Sequence, residues 1–86
     1  MAQKAKKVEV PVMEEGAILK ASIKERGITQ VELADRIGIR QSTLSDNINR
    51  RRMSLKVFGE VLNAMEYDIA VVDRSTGEIM WKVDVK

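Results

Sequence analysis

Cysteine and histidine are absent from this 86-residue sequence. Their absence excludes disulfides, thiol nucleophiles, imidazole bases and zinc sites built from nitrogen or sulfur ligands. It is compatible with a reducing cytoplasm. Aromatic side chains are scarce, one each of Phe, Trp and Tyr, and there is a single proline. The core must therefore come from Ile, Leu, Val, Met and Ala. So small a core is marginal alone, which makes dimerisation a reasonable expectation. No apolar run approaches the roughly 20 residues that span a bilayer, and the start MAQKAKK lacks the apolar segment of a signal peptide. No glycine-rich phosphate loop or paired-carboxylate pocket is evident, so no catalytic residue, metal or cofactor is expected and an enzyme is disfavoured.

Charge is present, and its distribution says more than its net value of +2. Residues 36–56 carry Arg36, Arg40, Arg50, Arg51, Arg52 and Lys56 against Asp46 alone. Residues 57–86 carry Arg74, Lys82 and Lys86 against six acids, and residues 1–35 balance six against six. A basic centre beside an acidic end suggests one face for a polyanion and another held away from it.

The basic centre overlaps the most patterned stretch, Thr29–Asn49. Thr29 followed by Glu32 is a capping-box spacing, and Ile28 with Leu33 fits a hydrophobic staple. Leu33 and Ile37 make one apolar stripe, and Ala34 is small where a second helix must cross. Gly38 suits a left-handed helix end, and Ile39 plugs the turn. Leu44 and Ile48 then repeat at four residues, over a second helix of roughly Gln41–Asn49. Arg40, Gln41, Ser42, Thr43, Ser45, Asp46 and Asn49 remain as a polar face. Two short helices joined by a tight turn form a helix-turn-helix unit.

Around this unit the chain reads in order as follows. Lys4, Lys6 and Lys7 lie in a tail, 1–7, without an acid: a solubilising end, or an arm that lies along a polyanion. Val8, Val10 and Val12 alternate with Glu9 and Pro11, a short edge-strand pattern. Glu14–Arg26 reads as a scaffold helix, with Glu14 and Glu15 at its positive end, Lys24 and Arg26 at its negative end, and Gly27 ending it. Its apolar residues Ala17, Ile18, Leu19, Ala21 and Ile23 form a broad stripe. Ser54 can cap a helix over Leu55–Met65, where Leu55, Phe58, Leu62 and Met65 share a core face widened by Val57, Val61 and Ala64. Gly59 within it would let another backbone pack closely. Ile69, Val71 and Val72 precede the turn residues Asp73–Gly77, and Ile79, Trp81, Val83 and Val85 then alternate with polar neighbours. This is a β-hairpin whose apolar face must rest on its own helices or on a second chain, and a shared sheet between two copies is favoured. Ile79, Trp81, Val83 and Val85 are the expected dimerisation residues, with Trp81 as anchor.

Gln30, the Leu33–Ala34 pair, Ile37–Gly38–Ile39 and the run Gln41–Ser42–Thr43–Leu44–Ser45 resemble the Cro and phage-repressor type of helix-turn-helix regulators, also called the xenobiotic-response-element family. The looser resemblance covers residues 14–66. It implies a mainly α, lambda-repressor-like four-helix DNA-binding domain, here with the C-terminal hairpin and, in one reading, an N-terminal strand. The expected layout is one domain over 1–86, with a helical core over 14–65 and the hairpin over 69–85. Two departures stand out. Arg40 replaces the usual Ser or Thr cap of the recognition helix, and Asn47 replaces an apolar residue, so that Ile48 must take over its packing and the helix would rotate or shorten. The turn Asn49–Arg50–Arg51–Arg52 also stands where an Asn-Gly-Lys type is common, which would place Arg50 at a costly positive φ.

The resemblance implies that the second motif helix enters the major groove of double-stranded DNA. Arg40, Gln41, Ser42, Thr43 and Asp46 are the expected base contacts. Gln41 leads because its amide can bond adenine N6 and N7 together. Asp46 would accept from cytosine N4 or orient Arg40 or one of the arginine triple. Gln30, Ser45, Asn49, Arg50, Arg51, Arg52 and Lys56 are the expected phosphate contacts, which position without specifying sequence. The implied function is a cytoplasmic prokaryotic transcriptional regulator, a homodimeric repressor on an inverted-repeat operator. The alternative is an antitoxin that binds its operator and, through the hairpin, a partner toxin protein. No membrane association is expected.

Overall fold

The computed structural model describes residues 10–85. The chain forms α1 (Glu15–Arg26), α2 (Gln30–Ile37), α3 (Gln41–Asn49), α4 (Leu55–Ala64), β1 (Ala70–Val72) and β2 (Ile79–Lys82). The molecule is mainly helical and closes with a two-stranded antiparallel hairpin.

Local chemistry accounts for the helix ends. Thr29 Oγ1 accepts from the Glu32 N–H at 3.1 Å, and Glu32 Oε1 accepts from the Thr29 N–H at 3.0 Å, so the capping box forms. Gly38 takes φ 85 and donates to the Ala34 carbonyl at 2.8 Å. Gly27 ends α1 at φ 64 in the same way. Ser54 Oγ accepts from the Val57 N–H at 3.2 Å and caps α4. The helix stops at Ala64, with Met65 as its C-cap. Beyond it Glu66 occupies φ 66, a left-handed position where glycine is the usual residue.

Leu19, Leu33, Ala34, Leu44, Ile48, Val61, Leu62 and Met65 form the buried core, none more than 5% exposed. α1 packs on α3 and α4, and α2 packs on the same two helices. Ile48 has taken over the packing expected of an apolar residue at Asn47, and α3 keeps its full length. Arg26 ties the far ends together. Its Nε donates to the Met65 carbonyl at 3.0 Å, Nη2 donates to Glu66 at 3.3 Å, and the guanidinium lies 3.9 Å from the centroid of the Tyr67 ring.

Several expectations are corrected. Val10, Pro11 and Val12 form no strand and are exposed; Val8, Glu9 and the basic tail lie outside the described residues. The broad stripe of α1 narrows to Leu19, flanked by half-buried Ile18 and Ile23, while Ala17 and Ala21 are exposed. Gly16, not singled out from the sequence, is buried instead: a Cβ there would fall on the Arg50 carbonyl oxygen. Leu55 is not core. It is 54% exposed, at an open cleft of about 250 Å³ that it lines with Lys56, Asp84 and Val85. Arg50 sits at φ −76 and ψ 142, so the strained turn is absent and the chain simply leaves α3 extended. Gly59 admits a side chain and not a backbone: a Cβ there would strike Val85.

In the hairpin Val71 faces Trp81 and Val72 faces Ile79, which leaves Met80 as the extra residue of a bulge. Asp73 Oδ1 accepts from the Ser75 N–H and hydroxyl at 2.8 and 2.7 Å, and Gly77 takes φ 78. At the base, the Val83 N–H donates to the Ile69 carbonyl at 2.7 Å, and Ile69 packs on the core. The strands do not lie back on their own helices. Val71, Val72, Ile79, Met80 and Trp81 all remain exposed, Trp81 at 66%.

Candidate nucleic-acid interface

α3 buries Leu44 and Ile48 and turns its other face outward. Arg40, Gln41, Ser42, Thr43, Asp46 and Asn49 are exposed and Ser45 is half-buried. None of these side chains has a hydrogen-bond or ion-pair partner among the described residues. Amides, hydroxyls and a carboxylate are thus presented on one helix with nothing among the described residues to satisfy them. Arg40 is the N-cap and provides no side-chain cap, so the first-turn amides of α3 lack an acceptor from it. Asp46 bonds neither Arg40 nor the arginine triple in this structure. Gln30, the first residue of α2, is half-buried, and its side chain likewise has no partner among the described residues.

Several of the cations expected to meet phosphate are paired within the protein. Arg51 donates through Nε to Glu14 Oε1 and through Nη2 to Glu14 Oε2, both at 3.0 Å. Arg52 Nη1 lies 3.2 Å from Glu15 Oε1, and its Nε lies 3.6 Å from Glu14 Oε2. Lys56 Nζ is 3.1 Å from Glu60 Oε2, one turn along α4. Arg36 Nη1 donates to the Ala64 carbonyl at 3.2 Å and closes the end of α4. Of the six cations between 36 and 56, only the Arg40 and Arg50 side chains make no hydrogen bond or ion pair among the described residues. They stand at the N-cap and C-cap of α3, one at each end of the polar face. The bidentate bond to Arg51 holds the Glu14 carboxyl below its ordinary value of 4.5 and raises the Arg51 guanidinium.

The sequence gives no periodic signal for the pairing of Glu14 and Glu15 with Arg51 and Arg52, which lie 37 residues away. It follows from the chain path. The Gly16 N–H donates to the Arg51 carbonyl at 3.3 Å, and the missing Cβ of Gly16 lets the Arg50 carbonyl approach. The loop after α3 therefore lies across the start of α1.

The expected dimerisation residues divide. Ile79 and Trp81 are exposed on β2; Val83 and Val85 are half-buried, and Val85 rests on Gly59 of its own chain. A cleft of about 480 Å³ lies between the α2–α3 turn and α4, lined by Arg36, Ile37, Ile39, Glu60, Asn63, Ala64 and Val85. It contains none of the polar residues of α3. Among the described residues no group of three or more acids could hold a metal ion, and no helix is long and apolar enough to cross a membrane.

Against known families, residues 19–72 match the model of the helix-turn-helix family. That range holds all of α2, α3 and α4 and most of α1. Neither curated proteins nor solved structures gave a match.

Proposed function

The chain belongs to the helix-turn-helix family of the Cro and phage-repressor type and is a DNA-binding transcriptional regulator; from that premise we propose that it is a homodimeric repressor of an inverted-repeat operator. It works in a prokaryotic cytoplasm. The observation that carries this reading is the outer face of α3, whose polar side chains have no partner among the described residues.

α3 enters the major groove with its N-terminal turn leading. Gln41 bonds adenine, Ser42 and Thr43 bond adjacent base edges, and Asp46 accepts from cytosine N4. An acid at this position repels phosphate, so it earns its place only through a base edge. Arg40 meets guanine or a phosphate, which relieves the unfavourable position of a cation at a helix N-terminus. Arg50, Gln30, Ser45 and Asn49 hold the flanking backbone, joined by Arg51, Arg52 and Lys56 to the extent that their carboxylates release them. These contacts fix the register and carry no sequence information.

One helix reads few base pairs, so two copies bind half-sites about 34 Å apart. The hairpin joins them: Ile79 and Trp81, with Val71, Val72 and Met80, give an unsatisfied apolar surface on a sheet with two open edges. Val83 and Val85 serve the base of the hairpin. Occupancy of the operator excludes polymerase.

Selection of bound sequences from random duplex DNA tests the whole reading. A symmetric consensus is expected, and recovery of no consensus would sink it. The same exposed hairpin, in the acidic part of the chain, also favours a second reading as an antitoxin that docks a toxin protein there. Co-purification of a stoichiometric partner protein would select that reading. A sharp homodimer in light scattering that binds operator unaided would remove the need for it.

A further inference from the structure

The loop that leaves α3 carries Arg50, Arg51 and Arg52, a local charge of three cations. Two of the three guanidiniums rest on carboxylates at the start of α1. We propose that Glu14 and Glu15 act as internal substitutes for phosphate, holding Arg51 and Arg52 in the free protein and limiting its affinity for DNA of any sequence. This inference rests on the reading that the loop meets the DNA backbone.

The geometry is that of a phosphate contact. Arg51 presents two parallel N–H groups to two oxygens of one anion, the fork arrangement by which guanidinium binds carboxylate and phosphate alike. The pairs are exposed, with Arg51 and Arg52 at 82% and 72% of side-chain accessibility. Exposed pairs in water are weak, so they can set the resting state and still yield to a duplex. The two carboxylates reduce the charge that the loop offers from three to one. Because sequence-independent binding is almost entirely release of counterions by cations on phosphate, that reduction falls on it directly.

The loop does not depend on the ion pairs for its position. Its backbone is fixed by the Gly16 N–H on the Arg51 carbonyl and by the close approach of Gly16 to Arg50. Removing the carboxylate charge therefore frees the guanidiniums without releasing the loop. Lys56 differs, because its partner Glu60 lies on its own helix and moves with it.

The test is binding of the full-length chain to a random-sequence duplex across a salt series, read by fluorescence anisotropy. Glu14→Gln and the double variant E14Q/E15Q are compared with Glu25→Gln, which removes a charge from an exposed position of α1 distant from the loop. The expected result is about tenfold tighter binding by E14Q/E15Q at low salt and a salt slope steeper by one to two, at about 0.9 per phosphate gained. E25Q should change neither by comparison. Unchanged or weaker binding by E14Q and E14Q/E15Q, or equal tightening by E25Q, would overturn the proposal. Should E14Q melt below the assay temperature, Glu15→Gln removes the nearer of the two carboxylates on Arg52, leaving Glu14 at 3.6 Å, and carries the same comparison with a smaller expected gain. R51A/R52A separates the two levels of the argument. If it weakens binding while the glutamate variants do nothing, the carboxylates are irrelevant and the loop still meets DNA. If it changes nothing, the loop does not meet DNA and the proposal falls with that reading.

Discussion

At the scale of single residues, two positions have energies set by backbone geometry. Glu66 is the one non-glycine residue among those described that holds a positive φ. Its N–H bonds Asn63 and the Tyr67 N–H bonds Leu62, at 2.9 Å each, which is the hydrogen-bond pattern of a helix end built for glycine. A non-glycine residue there costs about 1–2 kcal/mol, and glycine gives back about 0.5–1 through a freer unfolded chain. Glu66→Gly should therefore raise stability by about 0.5 kcal/mol in thermal melts; a fall would mean that the carboxylate has a role that its exposure conceals. Thr29 is the other. Thr29→Ala removes the cap acceptor for Glu32 and should cost about 1 kcal/mol by urea denaturation. The capping box is also sensitive to pH. The Thr29 N–H, then its hydroxyl, hold the Glu32 carboxyl below its ordinary 4.5. A lowered folded value means that the stabilisation is full above 4.5 and is lost as pH falls through the folded value. The Glu14 carboxyl behaves likewise through Arg51. In acid titration the gap between wild type and Thr29→Ala should narrow without closing, because the Thr29 hydroxyl still accepts from the Glu32 N–H once the carboxyl is protonated; a constant gap would show that the Thr29 hydroxyl does not hold the Glu32 charge.

At the scale of elements, two glycines decide how neighbours meet. A methyl group at Gly16 would collide with a backbone carbonyl, that of Arg50, which cannot turn aside without moving the loop. A methyl group at Gly59 would collide with the side chain of Val85 near the end of the described chain, which can shift. Gly16→Ala should therefore cost about 1–3 kcal/mol, as overpacking does. Gly59→Ala should lie near zero, because the gain of about 1 kcal/mol in helix propensity offsets a displaced valine. Urea midpoints for the two variants should differ in that order, and the reverse order would mean that Val85 anchors the hairpin more firmly than the loop is anchored to α1. The two ends of α3 give another contrast. Arg50→Ala should weaken binding to all duplexes alike and reduce the salt slope by about one, whereas Gln41→Ala should relax preference at one base position. Equal loss across all bases for Gln41→Ala would remove its reading role.

At the scale of the whole molecule, the hairpin is the unsettled surface. Two strands alone are marginal in water, and five large apolar side chains are exposed on this pair. If a second copy covers them, Trp81→Ser should leave the helical signal intact and convert a dimer to monomer in sedimentation at micromolar concentration. Operator binding should then fall steeply while each half-site contact survives. A wild-type chain that sediments as a monomer at the same concentration would remove the hairpin from dimerisation.

The sequence by itself determined whatever is written in short-range chemistry. The capping box at Thr29 and Glu32, the left-handed Gly38 and the four-residue spacing of Leu33 with Ile37 and Leu44 with Ile48 each act within one or two turns. Local patterns of this kind placed the motif helices, the polar face of α3 and the turn of the hairpin. Only the tertiary structure decided which charges remain available. Arg36, Arg51 and Arg52 counted in the sequence as parts of one basic patch, yet their partners lie at Ala64, Glu14 and Glu15, 28 or 37 residues away. The burial of Gly16, the exposure of Leu55 and the open faces of the hairpin were hidden for the same reason. Periodicity tells which side of an element is apolar, but what lies opposite that side depends on the path of the chain between distant elements.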